Sequence, residues 1–208
     1  MKFTLLSDGS SDRVLLRILD WLLRQHVSDP VMGVWADLRN MHTLPRNLKD
    51  RVRCTLEQYP CDMLFVHRDA ENEKPKKREN EIRAAIRGYP VPPLVCVIPV
   101  RMQEAWLLID EAALRRAADN PNGSVSIQFP RIEDLETIPN PKRLLHDLLR
   151  SASELRGRRL KRFRPGQRSH RVAELIENFS RLRRLKAFQR LESELIKVLE
   201  GEAGGNSR

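Results

Sequence analysis

Cysteine is scarce in this chain: three residues in 208, Cys54, Cys61 and Cys96, with no Cys-x-x-Cys pair among them. An odd number without paired spacing excludes a disulfide scaffold, argues against a structural zinc site and points to reduced thiols in a cytoplasmic protein. Aromatic residues are few as well, 5% of the chain, which weakens any mode of nucleic-acid binding built on rows of stacked bases. No apolar run approaches the roughly 18 residues that a membrane-spanning helix needs, so no membrane partner is expected. The N-terminal MKFTLL passes directly into polar residues, unlike a secretory signal. Asp8 and Gly9, followed by Ser10 and Ser11, could cradle a phosphate at a helix N-terminus, but no Walker-type lysine follows and ordinary capping competes. The Ser, His and Cys residues show no spacing that suggests a nucleophilic triad.

What the chain does have is enough apolar content, 40%, to close a core of one domain with a helical appendage. It also has an uneven positive charge. The net is +10, from 38 Lys and Arg against 28 Asp and Glu. Residues 1–120 hold 19 basic and 17 acidic side chains, whereas residues 121–208 hold 19 and 11. Between positions 150 and 190 there are 14 basic residues and 3 acidic ones. Such a stretch expects a polyanionic partner, and charge alone leaves open whether that is nucleic acid or an acidic protein.

Strands and helices alternate along the first 120 residues. Lys2–Leu6 reads as a strand, and Leu15, Ile18, Leu19 and Leu22 make one buried stripe of a helix opened by the Ser7 to Ser10 turn. Residues 31–36 read as a second strand, and Leu48, Val52 and Leu56 mark a second helix ending near Tyr59 and Pro60. Met63, Leu64, Phe65 and Val66 form a continuous apolar run of strand length, the pattern of a strand covered on both faces. A helix with Ile82, Ala85 and Ile86 follows, then a fourth strand at 94–98 behind Pro92 and Pro93. Residues 104–118 read as one further helix, with Trp106 in the core. The class is therefore α/β with about four mainly parallel strands.

After a turn at Asn120, Pro121, Asn122 and Gly123, residues 121–200 read as a helical, Arg-rich region. Asn140 and Pro141 open one helix as N-cap and first residue, and Ser169 is expected to cap another. Residues 156–168 read as a loop, Gly201 as the stop of the last helix, and 201–208 as a flexible tail.

The chemical signal lies in the acids. Asp8 follows the first strand, Asp69 and Glu71 the third, and Glu104 the fourth. In parallel α/β sheets ligands bind outside the carboxyl ends of the strands, so one rim collects all four. Hard cations such as Mg2+ or Mn2+ take oxygen ligands and keep several waters, which a few converging carboxylates suit. Without a cation, such a cluster would repel itself and raise a pKa. An acid-x-acid pair alone means little, since 28 acids in 208 residues produce about four by chance. The competing reading is solvated acids at helix N-termini. Arg101 either neutralises a phosphate or pairs with one of the acids. His67 and Arg68 beside the acids either touch phosphate or serve packing. Arg158, Arg159, Lys161, Arg162, Arg164, Arg168 and Arg171 would bind phosphates with little sequence preference.

The succession LLSDGSSD, FVHRDAE and VIPVRMQEAWLLID, followed by NPNG and PNPKRLL, resembles a Toprim-related bacterial family known as a domain of unknown function. It is distantly similar to Toprim nucleases of the overcoming-lysogenization-defect class. The resemblance implies a Toprim-like core over 1–120 and a Mg2+-dependent cleavage of phosphodiester bonds. Asp8 matches the first-strand acid, Asp69 and Glu71 the Asp-x-Asp pair, Asp12 the second acid of a Glu-x3-Glu, and Glu104 the acid before Ala-Trp. The resemblance thus implies Asp8, Asp69 and Glu71 as ligands of the metal, with Asp12 and Glu104 assisting or holding a second one, and Asp8, Asp69, Glu71 and Glu104 as the catalytic set. Two positions depart from that pattern: Asp8 stands for a Glu and Glu71 for an Asp. The resemblance also implies an AAA- or ABC-type ATPase partner and a setting in bacterial anti-phage defence. A homo-oligomer is compatible with the sequence. The alternative is a catalytically silent scaffold that binds nucleic acid or the ATPase.

Overall fold

The structure is a computed structural model, and it describes residues 1–41, 45–71 and 73–205. Its centre is one sheet of four parallel strands: β1 (Lys2–Leu6), β2 (Met32–Trp35), β3 (Met63–His67) and β4 (Leu94–Val97), in the spatial order β2-β1-β3-β4. The sequence-based strand assignments hold to within a residue or two at each end. Among the described residues no helix is long and apolar enough to cross a membrane.

Strand side chains alternate between two faces, and the two cores divide accordingly. Phe3, Leu5, Met63, Phe65, Val95 and Val97 fall in the larger core, with α1 (Leu15–Leu23) and the C-terminal helices. Leu6, Leu64, Val66, Leu94 and Cys96 fall in the smaller one, under α2 (Leu48–Gln58) and α3 (Pro75–Ala85). Burial on both faces is why β3 is written as an unbroken apolar run. Phe3 pairs in register with Gly33, where an added Cβ would lie 2.3 Å from the phenyl ring. Gly33→Ala is therefore expected to cost about 1–3 kcal/mol through overpacking, read as a lower urea midpoint at unchanged slope.

The helices beyond residue 110 are α4 (Glu111–Ala117), α5 (Pro141–Ser153), α6 (Gly157–Arg162), α7 (Pro165–Leu175) and α8 (Lys186–Gly205). Leu145, Leu149, Val172, Phe188 and Leu191 join the same core as α1. Trp106 is buried there as expected, edge-on to Phe188 with ring centroids 5.5 Å apart.

Four local expectations are corrected. Residues 104–118 do not form one helix. A short 3-10 helix, Gln103–Leu107, ends before Asp110, whose carboxylate accepts from the Ala113 amide and caps a new helix. An aspartate competes better for a cap than for a helix interior. Residues 156–168 are not a loop, because Arg, Leu and Lys suffice to form α6 although none of its residues is buried. Ser169 caps nothing; Pro165 opens α7 and the Ser169 hydroxyl donates back to the Pro165 carbonyl at 3.1 Å. Gly201 does not stop α8, which continues to Gly205, since glycine within a helix costs only about 1 kcal/mol. Residues 206–208 of the expected tail lie outside the described residues.

Candidate metal centre

The strand order reverses between β1 and β3: β1 leads outward to β2, and β3 leads outward in the opposite direction to β4. The crevice at the carboxyl ends of those two strands is where such sheets bind ligands. A cavity of about 310 Å³ lies there, lined by Asp8, Asp12, His67, Arg68, Asp69, Glu71 and Arg78, among others. Four of the five expected acids thus meet at one place. Glu104 lies behind them, buried in the 3-10 helix that follows β4.

Inside this group the surroundings of the acids differ. Asp8 is half exposed and already paired, with Arg51 and, at 3.0 Å, with Arg68 Nε. Glu71 sits at φ 55°, a left-handed conformation, and projects an exposed carboxylate 3.6 Å from Arg78. Asp12 and Asp69, by contrast, are tied into the protein. Asp12 accepts from the Gly9 amide at 2.9 Å, the Ser11 hydroxyl at 3.1 Å and the Gln103 carboxamide at 3.0 Å. Asp69 accepts from the Gln103 backbone amide at 3.1 Å. Gln103 therefore joins Asp12, in the 3-10 helix after β1, to Asp69, after β3. Its neighbour Glu104 stands 3.3 Å from Lys142 Nζ on α5.

The electrostatics follow from this enclosure. Burial, aided by the nearby charges of Glu104 and Asp12, pushes the Asp69 carboxyl up to about 8. Burial drives the His67 imidazole the other way, against the pull of Asp12, Asp8 and Glu104. His67 Nδ1 donates to the Val97 carbonyl at 2.9 Å, leaving Nε2 as the basic nitrogen 3.5 Å from Asp69 Oδ1. A proton-bearing carboxyl and a bare imidazole nitrogen therefore stand side by side at neutral pH.

Among the described residues no three His, Cys, Asp or Glu side chains are grouped tightly enough, as placed, to hold a metal ion. The donor set nonetheless has the right chemistry for a hard divalent cation. It consists of the carboxylates of Asp8, Asp12, Asp69 and Glu71 on a polar cavity, with the Asp69 carboxyl pushed up to about 8 chiefly by burial. Asp12 and Asp69 would hold the ion, with Glu104 behind; Asp8 and Glu71 would join by exchanging their arginine partners.

Arg68 reaches both Asp8 and, at 3.9 Å, Glu81. Arg101 donates to the Glu71 carbonyl at 3.2 Å and holds that loop, whose amide returns a bond to the Arg101 carbonyl. The basic stretch sits elsewhere. Arg158, Arg159, Lys161 and Arg162 are on α6, Arg164 is at the start of α7, and all are exposed. Arg168 pairs with Asp119, and Arg171 is exposed on α7. None of them lines the acid cavity. Sequence reasoning passed over Gln103, Lys142, Arg51 and Arg78, because their partners lie 34 or more positions away or depend on how a helix packs. The only available hint was that Gln103 immediately precedes Glu104. Comparison with protein-family models, with curated proteins and with solved structures found no match to this chain.

Proposed function

We propose that this chain is a divalent-metal-dependent, phosphodiester-cleaving protein of Toprim-like type that acts on nucleic acid in the cytoplasm. The observation carrying the reading is the gathering of Asp8, Asp12, Asp69 and Glu71 at the sheet's switch point, with Asp69 pushed up to about 8 by its surroundings. Clustered buried acids cost stability unless a cation neutralises them. Mg2+ or Mn2+, when bound, offsets the charge that builds on phosphoryl oxygens and acidifies water. The protein's own residues supply the rest. Gln103 orients Asp12 and Asp69, Arg68 and Arg78 face the cavity as phosphate contacts, and His67 beside Asp69 can accept a proton. The resemblance in sequence adds an AAA- or ABC-type ATPase partner and a role in anti-phage defence to the proposal.

The test is cleavage of end-labelled DNA and RNA with Mg2+ or Mn2+, by the protein alone and with its ATPase partner. Asp12→Asn is expected to lower the rate on the order of 100-fold or more while leaving binding in EDTA intact. Absence of any metal-dependent product from the wild-type protein in both settings would overturn the proposal.

A second reading has one observation in its favour. Asp8 and Glu71 already have guanidinium partners, Arg51, Arg68 and Arg78, as in a site whose cations are side chains. A catalytically silent scaffold would bind nucleic acid or the ATPase equally well with and without metal.

A further inference from the structure

The acid cavity does not stand alone. A second cavity of about 300 Å³ shares Asp8 and Gly9 with it and extends along the carboxyl rim toward β2. A third, of about 410 Å³, shares Ser10, Trp35 and Arg39 with the second and ends between α1 and α7. Neighbouring cavities share these wall residues, so the three lie in one succession leading away from the acids.

The character of the wall changes along it. At the acid end the arginines are committed: Arg51 and Arg68 to Asp8, Arg78 to Glu81 and Glu71. Further along, Arg13, Arg17 and Arg46 are exposed and make no side-chain hydrogen bond or ion pair among the described residues. Asp37, which lines the second cavity with Arg46, is held well below the usual carboxylate range by Arg39, which grips it through two nitrogens. Among the described residues Glu174 on α7 is the one carboxylate in the wall of the third cavity.

The junction between the second and third cavities is flat and fixed. Trp35 Nε1 donates to the Ser7 hydroxyl at 2.9 Å, which sets the indole plane. The Arg39 guanidinium lies over that ring at 5.1 Å and keeps 63% of its side chain exposed. A guanidinium plane backed by an aromatic ring and locked by a carboxylate is a ready surface for stacking a base.

We infer that this succession of cavities forms one groove, the track of a single nucleic-acid strand: phosphates bind Arg13 and Arg17 in the third cavity, a base stacks on Arg39 over Trp35, and the strand enters the acid cleft past Gly9. The inference rests on the nuclease reading for the direction of the strand. It assigns the main contact to the β2 side of the sheet rather than to α6.

Anisotropy of fluorescein-labelled dT12 in EDTA, where no metal-dependent cleavage occurs, tests it. Arg13→Glu with Arg17→Glu is expected to weaken binding at least 10-fold at 100 mM salt. It should also flatten the slope of log affinity against log salt by roughly 1.4, two phosphate contacts at about 0.7 each on a single strand. Arg13→Gln with Arg17→Gln should show the same flattening with unchanged circular dichroism, which separates lost contacts from misfolding. Polyglutamate of equal charge should compete poorly. Unchanged affinity and slope in both double variants, with the loss appearing instead in Arg158→Glu with Arg159→Glu, would overturn the track while leaving the metal proposal standing. Equal capture of dT12 and polyglutamate would identify an acidic protein as the partner and overturn it too. Wild-type protein that binds no dT12 at all would sink the track and the nucleic-acid reading together.

Discussion

Replacing Asp69 with asparagine is expected to stabilise the metal-free protein above neutral pH. The Asp69 carboxyl titrates at about 8 in the fold, whereas an unfolded aspartate titrates near 3.9. Below about pH 4 both states hold the proton and the site exacts no penalty. Between about 4 and 8 the unfolded chain has released its proton while the native protein keeps it, so stability falls as pH rises; above 8 it is level again. Each pH unit in that window is worth about 1.4 kcal/mol, so the roughly four units set a ceiling of about 6 kcal/mol, which relaxation and water entering the cavity lower. Asparagine has the same shape, cannot ionise, and still offers Oδ1 to the Gln103 amide that Asp69 accepts from at 3.1 Å.

Urea unfolding in EDTA from pH 4 to 9 should therefore give wild-type and Asp69→Asn curves that coincide in acid and separate by about 2–4 kcal/mol at pH 8.5. His67, which burial makes harder to protonate, adds a dependence of the opposite sign below about pH 6.5. It is present in both proteins and largely cancels in the difference. Added Mg2+ or Mn2+ should raise the wild-type curve most at high pH and leave the variant nearly unmoved. Parallel curves across the range would show that Asp69 is an ordinary ionised carboxylate, and the main support for a cation there would be gone.

The acids that carry this argument were legible in the sequence for a physical reason. A strand buried on both faces is written as a solid apolar block, as in Met63 to Val66, and the first polar residues after it must lie at the rim. Asp8, Asp69 and Glu71 were placed that way, and the sheet puts them there. What stayed hidden depends on side-chain direction and on contacts between distant segments. Nothing in the spacing says that Asp12 and Asp69 turn inward to Gln103 while Asp8 and Glu71 turn outward to arginines. The same applies to Arg13 and Arg17. They are two ordinary polar positions on the outer side of a helical stripe, and only the packing of α7 makes them a cavity wall. The 156–168 stretch has the composition of a loop, yet a basic segment with little to bury is still able to coil into α6.

Removing Lys142 is expected to cost about 2–3 kcal/mol in the metal-free protein, a large effect for a half-exposed lysine. Its ammonium lies 3.3 Å from Glu104, whose side chain is only 6% exposed. Lys142 directly follows Pro141 in the first turn of α5, where the helix dipole disfavours positive charge. Its position makes sense through Glu104. Taking one partner from a buried pair leaves an uncompensated charge, commonly at 3–5 kcal/mol, and the water around the lysine end reduces that here. The Lys142→Ala, Glu104→Gln cycle separates this from a simple helix effect. Glu104→Gln should relieve most of the Lys142→Ala penalty, because no buried charge remains to be balanced, and the coupling should exceed 1 kcal/mol. Additivity within about 0.5 kcal/mol would mean that the two side chains are merely neighbours. If the coupling is found, Mn2+ should restore more stability to Lys142→Ala than to the wild type, since the cation then neutralises a carboxylate that has lost its lysine. The helical region after residue 120 would in that case complete the charge balance of the acid cluster as well as covering one face of the sheet.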